Sequence, residues 1–403
     1  MLLTAAPARP AESATSSSTA PGQVIVTDTP AAPSGRTPVA LGDDQVKSFR
    51  DYLAGARKDS GLPGLAVAMV QPGRVLLLEA FGNRTSVAGS IPLTPDTRFA
   101  LGPVTQAFNS LLLAKLADEK IIDLDLPAWR CWGDFKLSDA DASRTAALRQ
   151  LLFMTAGVPD YADETLRKPA ATPADLFTVL AQVPVLAQPG GTFSYSETSA
   201  AAAGYLATMA ANNARQLPAG LPVDYVALAT KELLDPLAMK RASFGPPSST
   251  PADDDAVGHT QVAGGWQPTP ASSGANGGAL LPARGLRASA TDLAAWLQLE
   301  ISGGLAPGGK RLVSETLMKQ RWAPEKVVGE QQWGMGWIRQ FYRGVELVAR
   351  VGTQDNQTVL VVLVPRYRTA AAVLLNGGGH PSDVLLQDVL LNFADFLREA
   401  AKE

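Results

Sequence analysis

The stretch Asp96–Asp125, DTRFALGPVTQAFNSLLLAKLADEKIIDLD, constrains the fold more than any other part of the chain. It reads as a turn, a short strand ending in Gly102, and a helix with Pro103 at its first position. There the missing N–H costs nothing and the fixed φ is already helical. Phe108, Leu111, Leu112, Lys115 and Leu116 recur at three- and four-residue spacing, and Leu113, Ala114 and Ala117 fill most of the remaining positions. A helix apolar nearly all round belongs inside a protein. One that opens directly after a glycine turn aims its free N–H groups and dipole at a natural place for a nucleophile or an anion.

Composition narrows the rest. The 403 residues suffice for two domains or one large two-lobed unit, and 46% hydrophobic with 18% charged residues describes a globular chain with ample core. A net charge of −3 gives no electrostatic case for nucleic acid or an anionic membrane surface. No apolar run reaches the ~18 residues of a membrane span. Cys131, the single cysteine, lies between Trp129 and Trp132 and reads as a packed thiol. His259 and His380 cannot alone build a zinc site, and no metal-ligand spacing or cofactor motif appears.

Residues 1–40 are rich in Ala, Pro, Ser and Thr without periodicity, a disordered tail or the remnant of a signal peptide by composition. A helix follows over Asp44–Lys58. Strands are predicted at Leu65–Val70 and Val75–Phe81, joined by a Gln71–Arg74 hairpin. Ser138–Gly157 carries a helix ending in LLFMTAGVPDY, and 174–183 and 199–211 carry two more. Residues 245–284 form a long Gly/Pro/Ser/Asp-rich connection of the kind that walls a pocket. Ser289 caps a helix that Gly303 ends. Strand patterns at Gly334–Gln340, Val345–Val351, Thr358–Val364 and Ala370–Asn376 precede a final amphipathic helix, Asp383–Ala401. Strands at both ends with helices between predict an α/β (α+β) unit: one antiparallel sheet from both termini, flanked by helices, with an inserted mainly helical lobe.

Three phrases resemble the serine β-lactamase and penicillin-binding-protein superfamily, particularly its class C and esterase-like branch. LGPVTQ stands where those proteins open their central helix with Gly-Ser-x-x-Lys; LLFMTAGVP resembles their Leu-Leu-x-His-Thr-Ser-Gly-Leu-Pro; and ARGLRASATDL resembles their Gly-Gly-Leu-x-Ser-Thr-x-x-Asp-Leu. The resemblance runs over about residues 43–400. It implies a single unit over 41–403, with a sheet lobe (41–100 and 300–403) and a helical lobe (101–299). It also implies export, to the periplasm or outside the cell, with the cytoplasm as the alternative.

Position by position, the chemistry departs from that family. Pro103 stands at the nucleophilic serine and Gln106 at its lysine activator. The family's Tyr-x-Asn reads Tyr195-Ser196-Glu197. Its third element, Lys or His followed by Thr or Ser and then Gly, reads Arg350-Val351-Gly352. A hydroxyl nucleophile needs an adjacent base, and neither a proline nor an amide supplies one. On a helix Thr105 points about 200° away from position 103 and Ser110 lies two turns on, so neither replaces the serine. Glu197 and Arg350 are expected to pair across the old cleft, His259 to be structural and His380 solvated. Two readings follow. One is a catalytically silent protein retained to bind a small molecule in the cleft or a protein partner, such as an active relative. The other is an enzyme of changed chemistry, with Tyr195 and Glu197 as an acid–base pair for a lyase, cyclase or non-covalent hydrolase. A residual esterase using a nucleophile from elsewhere completes the alternatives.

Overall fold

The computed structural model describes residues 40–161, 164–218, 220–247, 254–270, 278–328 and 331–402; the tail expected over 1–40 falls almost wholly outside them. Helix α1 (Asp43–Asp59) leads into strands β1 (Gly64–Gln71), β2 (Arg74–Gly82) and β3 (Arg98–Ala100), then helix α2 (Thr105–Asp118). The helical part continues with α3 (Ala140–Thr145), α4 (Leu148–Leu152), α5 (Glu164–Arg167), α6 (Pro173–Gln182), α7 (Glu197–Ala214) and α8 (Tyr225–Ala229). Strands β4 (Ser243–Phe244), β5 (Gly258–Val262) and β6 (Gly265–Thr269) come next, followed by α9 (Leu281–Arg284), β7 (Leu286–Ser289), α10 (Ala290–Ile301) and α11 (Glu315–Trp322). The chain closes with β8 (Lys326–Val328), β9 (Gln331–Trp333), β10 (Ile338–Tyr342), β11 (Val345–Gln354), β12 (Gln357–Val364), β13 (Thr369–Leu375) and α12 (His380–Ala400).

Eight strands form one antiparallel sheet in the order β2-β1-β13-β12-β11-β10-β9-β8. Leu65 of β1 pairs with Leu375 of β13, so strands from the two ends of the fold lie side by side, one strand in from the β2 edge. β1 is buried along almost its whole length, because helices cover both faces. Ala66, Ala68 and Val70 face the core that contains α2 and α10, while Leu65, Val67 and Met69 face the one that contains α1 and α12. That split is the two-residue period of a strand.

The structure departs from the predicted elements in four places. Pro103 sits in a 3₁₀ turn, Gly102–Val104, and the α-helix begins at Thr105. The helix predicted over 138–157 breaks at Ala146 and Ala147, which turn extended so that Ala128 can donate to the Ala146 carbonyl at 2.8 Å. Of the strand predicted at 334–340 only the end is formed: β10 starts at Ile338, and 334–337 make the turn that joins it to β9, in which Gly334 donates to the Trp337 carbonyl at 2.9 Å. The 245–284 connection contains the β5–β6 hairpin and α9.

Beneath α2 lies an ion pair with no exposure at either side chain: Arg321 of α11 meets Glu300 of α10 at 2.9 Å. The guanidinium also donates to Ser110 Oγ at 3.0 Å and to the Ala107 carbonyl at 2.7 Å. It thereby ties three helices at one point. Arg321→Met leaves the Glu300 charge buried and uncompensated, so equilibrium urea unfolding should show a loss of about 3–5 kcal/mol.

Candidate functional site

Two glycines bring the site's backbone together. An added Cβ at Gly352, on β11, would lie 2.1 Å from the Leu101 carbonyl and 3.0 Å from the Val104 nitrogen. One at Gly336 (φ +75°) would meet Gln106 carbonyl atoms at 2.7 Å. The sheet and the β9–β10 turn therefore press directly against the entrance of α2, an approach only glycine permits.

With period 2 along β11, Arg350, Gly352 and Gln354 share the face turned to that entrance. Arg350, 4% exposed, donates from Nη2 to Gln106 Oε1 at 2.9 Å and to the Tyr195 hydroxyl at 3.3 Å. Its Nε lies 3.5 Å from the Pro103 carbonyl. Gln106 closes the triangle by donating from Nε2 to the Tyr195 hydroxyl at 2.9 Å. The guanidinium also lies over the rings of Tyr195 and Trp333, at 5.5 and 5.4 Å. Pro103, Gln106, Tyr195, Arg350 and Gly352 thus converge as the sequence places them. Trp333, which holds one face of Arg350, carried no signal in the sequence beyond its aromatic type.

Glu197 goes elsewhere. Its Oε2 takes Arg284 Nη1 at 2.8 Å and Arg167 Nη2 at 3.2 Å, and its backbone N–H donates to Asp160 at 3.1 Å. The expected pair with Arg350 is not formed, because Arg284, from the end of the long connection, reaches the carboxylate first and also donates to Gln354 at 2.9 Å. Burial pushes the Glu197 carboxyl up to about 7, with Arg167 and Arg350 pulling it down and Asp160 adding to the push. The guanidinium contact at 2.8 Å favours the charged form once it has ionised. Burial also raises the Tyr195 hydroxyl far above its ordinary range, reinforced by Glu197 and opposed by Arg350.

The neighbouring hydroxyls are structural. Thr105 Oγ1 accepts from the Leu286 N–H at 3.2 Å, and Ser110 Oγ donates to the Ala107 carbonyl at 2.9 Å. His259 is fully buried; its Nδ1 faces the Asn376 carbonyl at 2.7 Å and its Nε2 accepts from the Ser86 N–H at 3.0 Å, with burial holding its pKa down. That pairing fixes a neutral ring and gives it the structural role its sequence context suggests. His380 is exposed. Burial pushes the Cys131 thiol up to about 11, away from nucleophilic chemistry. Among the described residues no group of three or more His, Cys, Asp or Glu could hold a metal ion, and no helix is long and apolar enough to cross a membrane.

Comparison with known proteins places these positions in context. The Beta-lactamase family model matches residues 49–394. Penicillin-binding protein 4 of Amycolatopsis lactamdurans is 24% identical over 349 residues, covering 82% of this chain and 85% of that protein. Protein flp of Staphylococcus aureus (strain MW2) is 23% identical over 323 residues, 78% of this chain and 60% of the relative, so the chain spans under two thirds of that protein's length. Among solved structures, the octameric penicillin-binding protein homologue from Pyrococcus abyssi superposes with a TM-score of 0.70 at 23% identity, over 87% of this chain and 77% of that one. SurE superposes with a TM-score of 0.71 at 22% identity, over 89% and 76%. At these identities the structural likeness speaks for the fold.

The raised Glu197 carboxyl gives a signed pH dependence. A carboxyl that binds its proton more tightly in the folded chain than at its ordinary value of 4.5 contributes stability below that value, and the contribution is lost as pH rises through about 7. Between pH 5 and 8 the melting temperature of the native protein should therefore fall relative to that of Glu197→Gln. Parallel profiles for the two would show that Glu197 is not the titrating group.

Proposed function

The chain belongs to the β-lactamase family, and from that premise we propose that it is a binding member without serine acyl-transfer activity. The observation that carries the reading is the closed Arg350–Gln106–Tyr195 triangle against the Pro103 turn. Acyl transfer requires a nucleophile, a base beside it, and donors aimed at the developing oxyanion. The position of the first is a proline, which also lacks an N–H. The position of the second is an amide whose carbonyl and amino ends are both hydrogen-bonded within the protein. The next N–H groups of the turn are also engaged: Val104 donates to Leu101 at 3.2 Å, and Thr105 to Gly102 and Pro103.

Changed chemistry through Tyr195 and Glu197 draws support from the carboxyl's position near 7. Against it stand the partners. Glu197 is held by Arg284 and Arg167, and the Tyr195 hydroxyl accepts from Gln106 and Arg350. Both groups are thus engaged by side chains that hold them in place within the protein. The binding reading is therefore the better supported one, with the ligand a small molecule reaching the cleft.

Incubation with a fluorescent penicillin and with a fluorophosphonate should leave the protein unlabelled by intact-mass measurement, and ester substrates should not be turned over above background. Pro103→Ser with Gln106→Lys should stay inactive, because Arg350 still fills the position beside the lysine. Losing a catalytic serine alone costs about 10⁶ in turnover in a serine hydrolase, so restored activity would be easy to see. A covalent adduct on the native protein overturns the reading.

A further inference from the structure

A tyrosine hydroxyl buried in a protein ordinarily finds a hydrogen-bond partner, because one left without costs the desolvation of the group. Two in this chain find none. Tyr205 of α7 and Tyr225 of α8 are each 2% exposed, and their rings meet edge to face with centroids 6.1 Å apart. The Tyr225 hydroxyl is sealed from solvent without a partner. The Tyr205 hydroxyl has no partner among the described residues either and, unlike that of Tyr225, is not closed off from solvent. Burial pushes both hydroxyls far above their ordinary range, so both rings are neutral and keep a proton to donate.

Both rings line one cavity of about 420 Å³, within the size range of small-molecule sites. They form its floor with the buried Val223. Val226 and Leu281 are half-buried walls, and Pro169 and Pro222 stand exposed at the rim. Asp224 is exposed there too, and its carboxylate caps α8 by accepting the Ala227 N–H at 2.8 Å. Among the described residues no cation lines the cavity. It lies apart from the cleft: Tyr205 is two turns along α7 from Glu197, and none of Pro103, Gln106, Tyr195, Glu197 and Arg350 borders it.

We propose that this cavity between α7, α8 and α9 is a second binding site, and that it takes a small uncharged molecule with an apolar body and one hydroxyl or carbonyl oxygen. The oxygen accepts from the Tyr205 hydroxyl, and the body displaces water from the proline and aliphatic walls. The lining argues against the other classes of ligand. An anion meets Asp224 and no cation. A cation reaches Asp224 only at the exposed rim, where such a pair contributes little. A plain hydrocarbon covers the walls and leaves the buried hydroxyl unmet. The inference goes beyond the cleft reading and does not depend on it.

Saturation-transfer NMR titrations and thermal melting test this with p-cresol, 4-methylcyclohexanol, toluene and p-toluate. At least one of the two hydroxylated probes should bind saturably, raise the melting temperature and resist displacement by p-toluate. It should bind at least about threefold more tightly than toluene. Tyr205→Phe should weaken that probe about three- to tenfold and leave toluene unchanged. Without ligand the same variant should melt no lower than the native protein, since it loses no hydrogen bond. Tyr195→Phe, in the cleft, should leave every affinity as it is. Where Tyr205→Phe does not fold, Val226→Trp narrows the cavity and should weaken p-cresol, 4-methylcyclohexanol and toluene alike. The proposal is overturned if neither hydroxylated probe saturates, if toluene binds as well as they do, or if p-toluate displaces them. It is equally overturned if affinity follows Tyr195 and not Tyr205 or Val226, or if unliganded Tyr205→Phe melts lower, which would show its hydroxyl to be bonded within the protein.

Discussion

The contact at Gly352, where β11 runs so close to the Leu101 carbonyl that no side chain fits between them, sets the geometry of everything near α2. It fixes the distance between the sheet and the entrance of the buried helix. From that distance follows which atoms Arg350 can reach. A long side chain two residues before the contact has nowhere to go except along the helix entrance, past Pro103 and into Gln106 and Tyr195. Gly336 repeats the device from the other side of the same turn. The architecture therefore holds a cluster of polar groups at one point whatever their chemistry, and their identities decide what that point can do.

The overall architecture was readable because it rests on coarse patterns. An all-apolar helix, two apolar strands around a Gln71–Arg74 turn and three further strands near the carboxyl end suffice to call a two-ended sheet, and each phrase falls on its expected element. Where the reading slipped, the cause was a non-local bond. Ala146 and Ala147 leave the helical conformation because the Ala128 N–H needs the Ala146 carbonyl, and nothing within LLFMTAGVP announces that. The 334–340 strand breaks because Gly336 must pack on Gln106, a contact between segments more than two hundred positions apart in sequence.

The same distinction governs the site. Positions on matched phrases, Pro103, Gln106, Tyr195, Glu197, Arg350 and Gly352, could be placed together from their order alone. Their partners could not. Arg284 lies within a phrase that resembles the family at a place where no side-chain chemistry is called for, and Arg167 lies in a segment with no motif. Together they take Glu197 away from Arg350. A carboxylate chooses among guanidiniums by distance and burial, and neither quantity is written in a linear spacing.

What results is a site in which Gln106, Tyr195 and Glu197 each have a structural occupation. The amide at 106 both accepts and donates where an amine would have to be free to take a proton. The phenol at 195 accepts from two donors. The carboxylate at 197 serves as the anchor for two arginines. Stability and catalysis make opposite demands on such groups, since an interior favours polar atoms that are fully hydrogen-bonded, whereas turnover needs at least one held ready and unsatisfied. In this chain Gln106 and Glu197 meet the first condition, and groups that hold the fold together in this way are costly to free for a proton transfer.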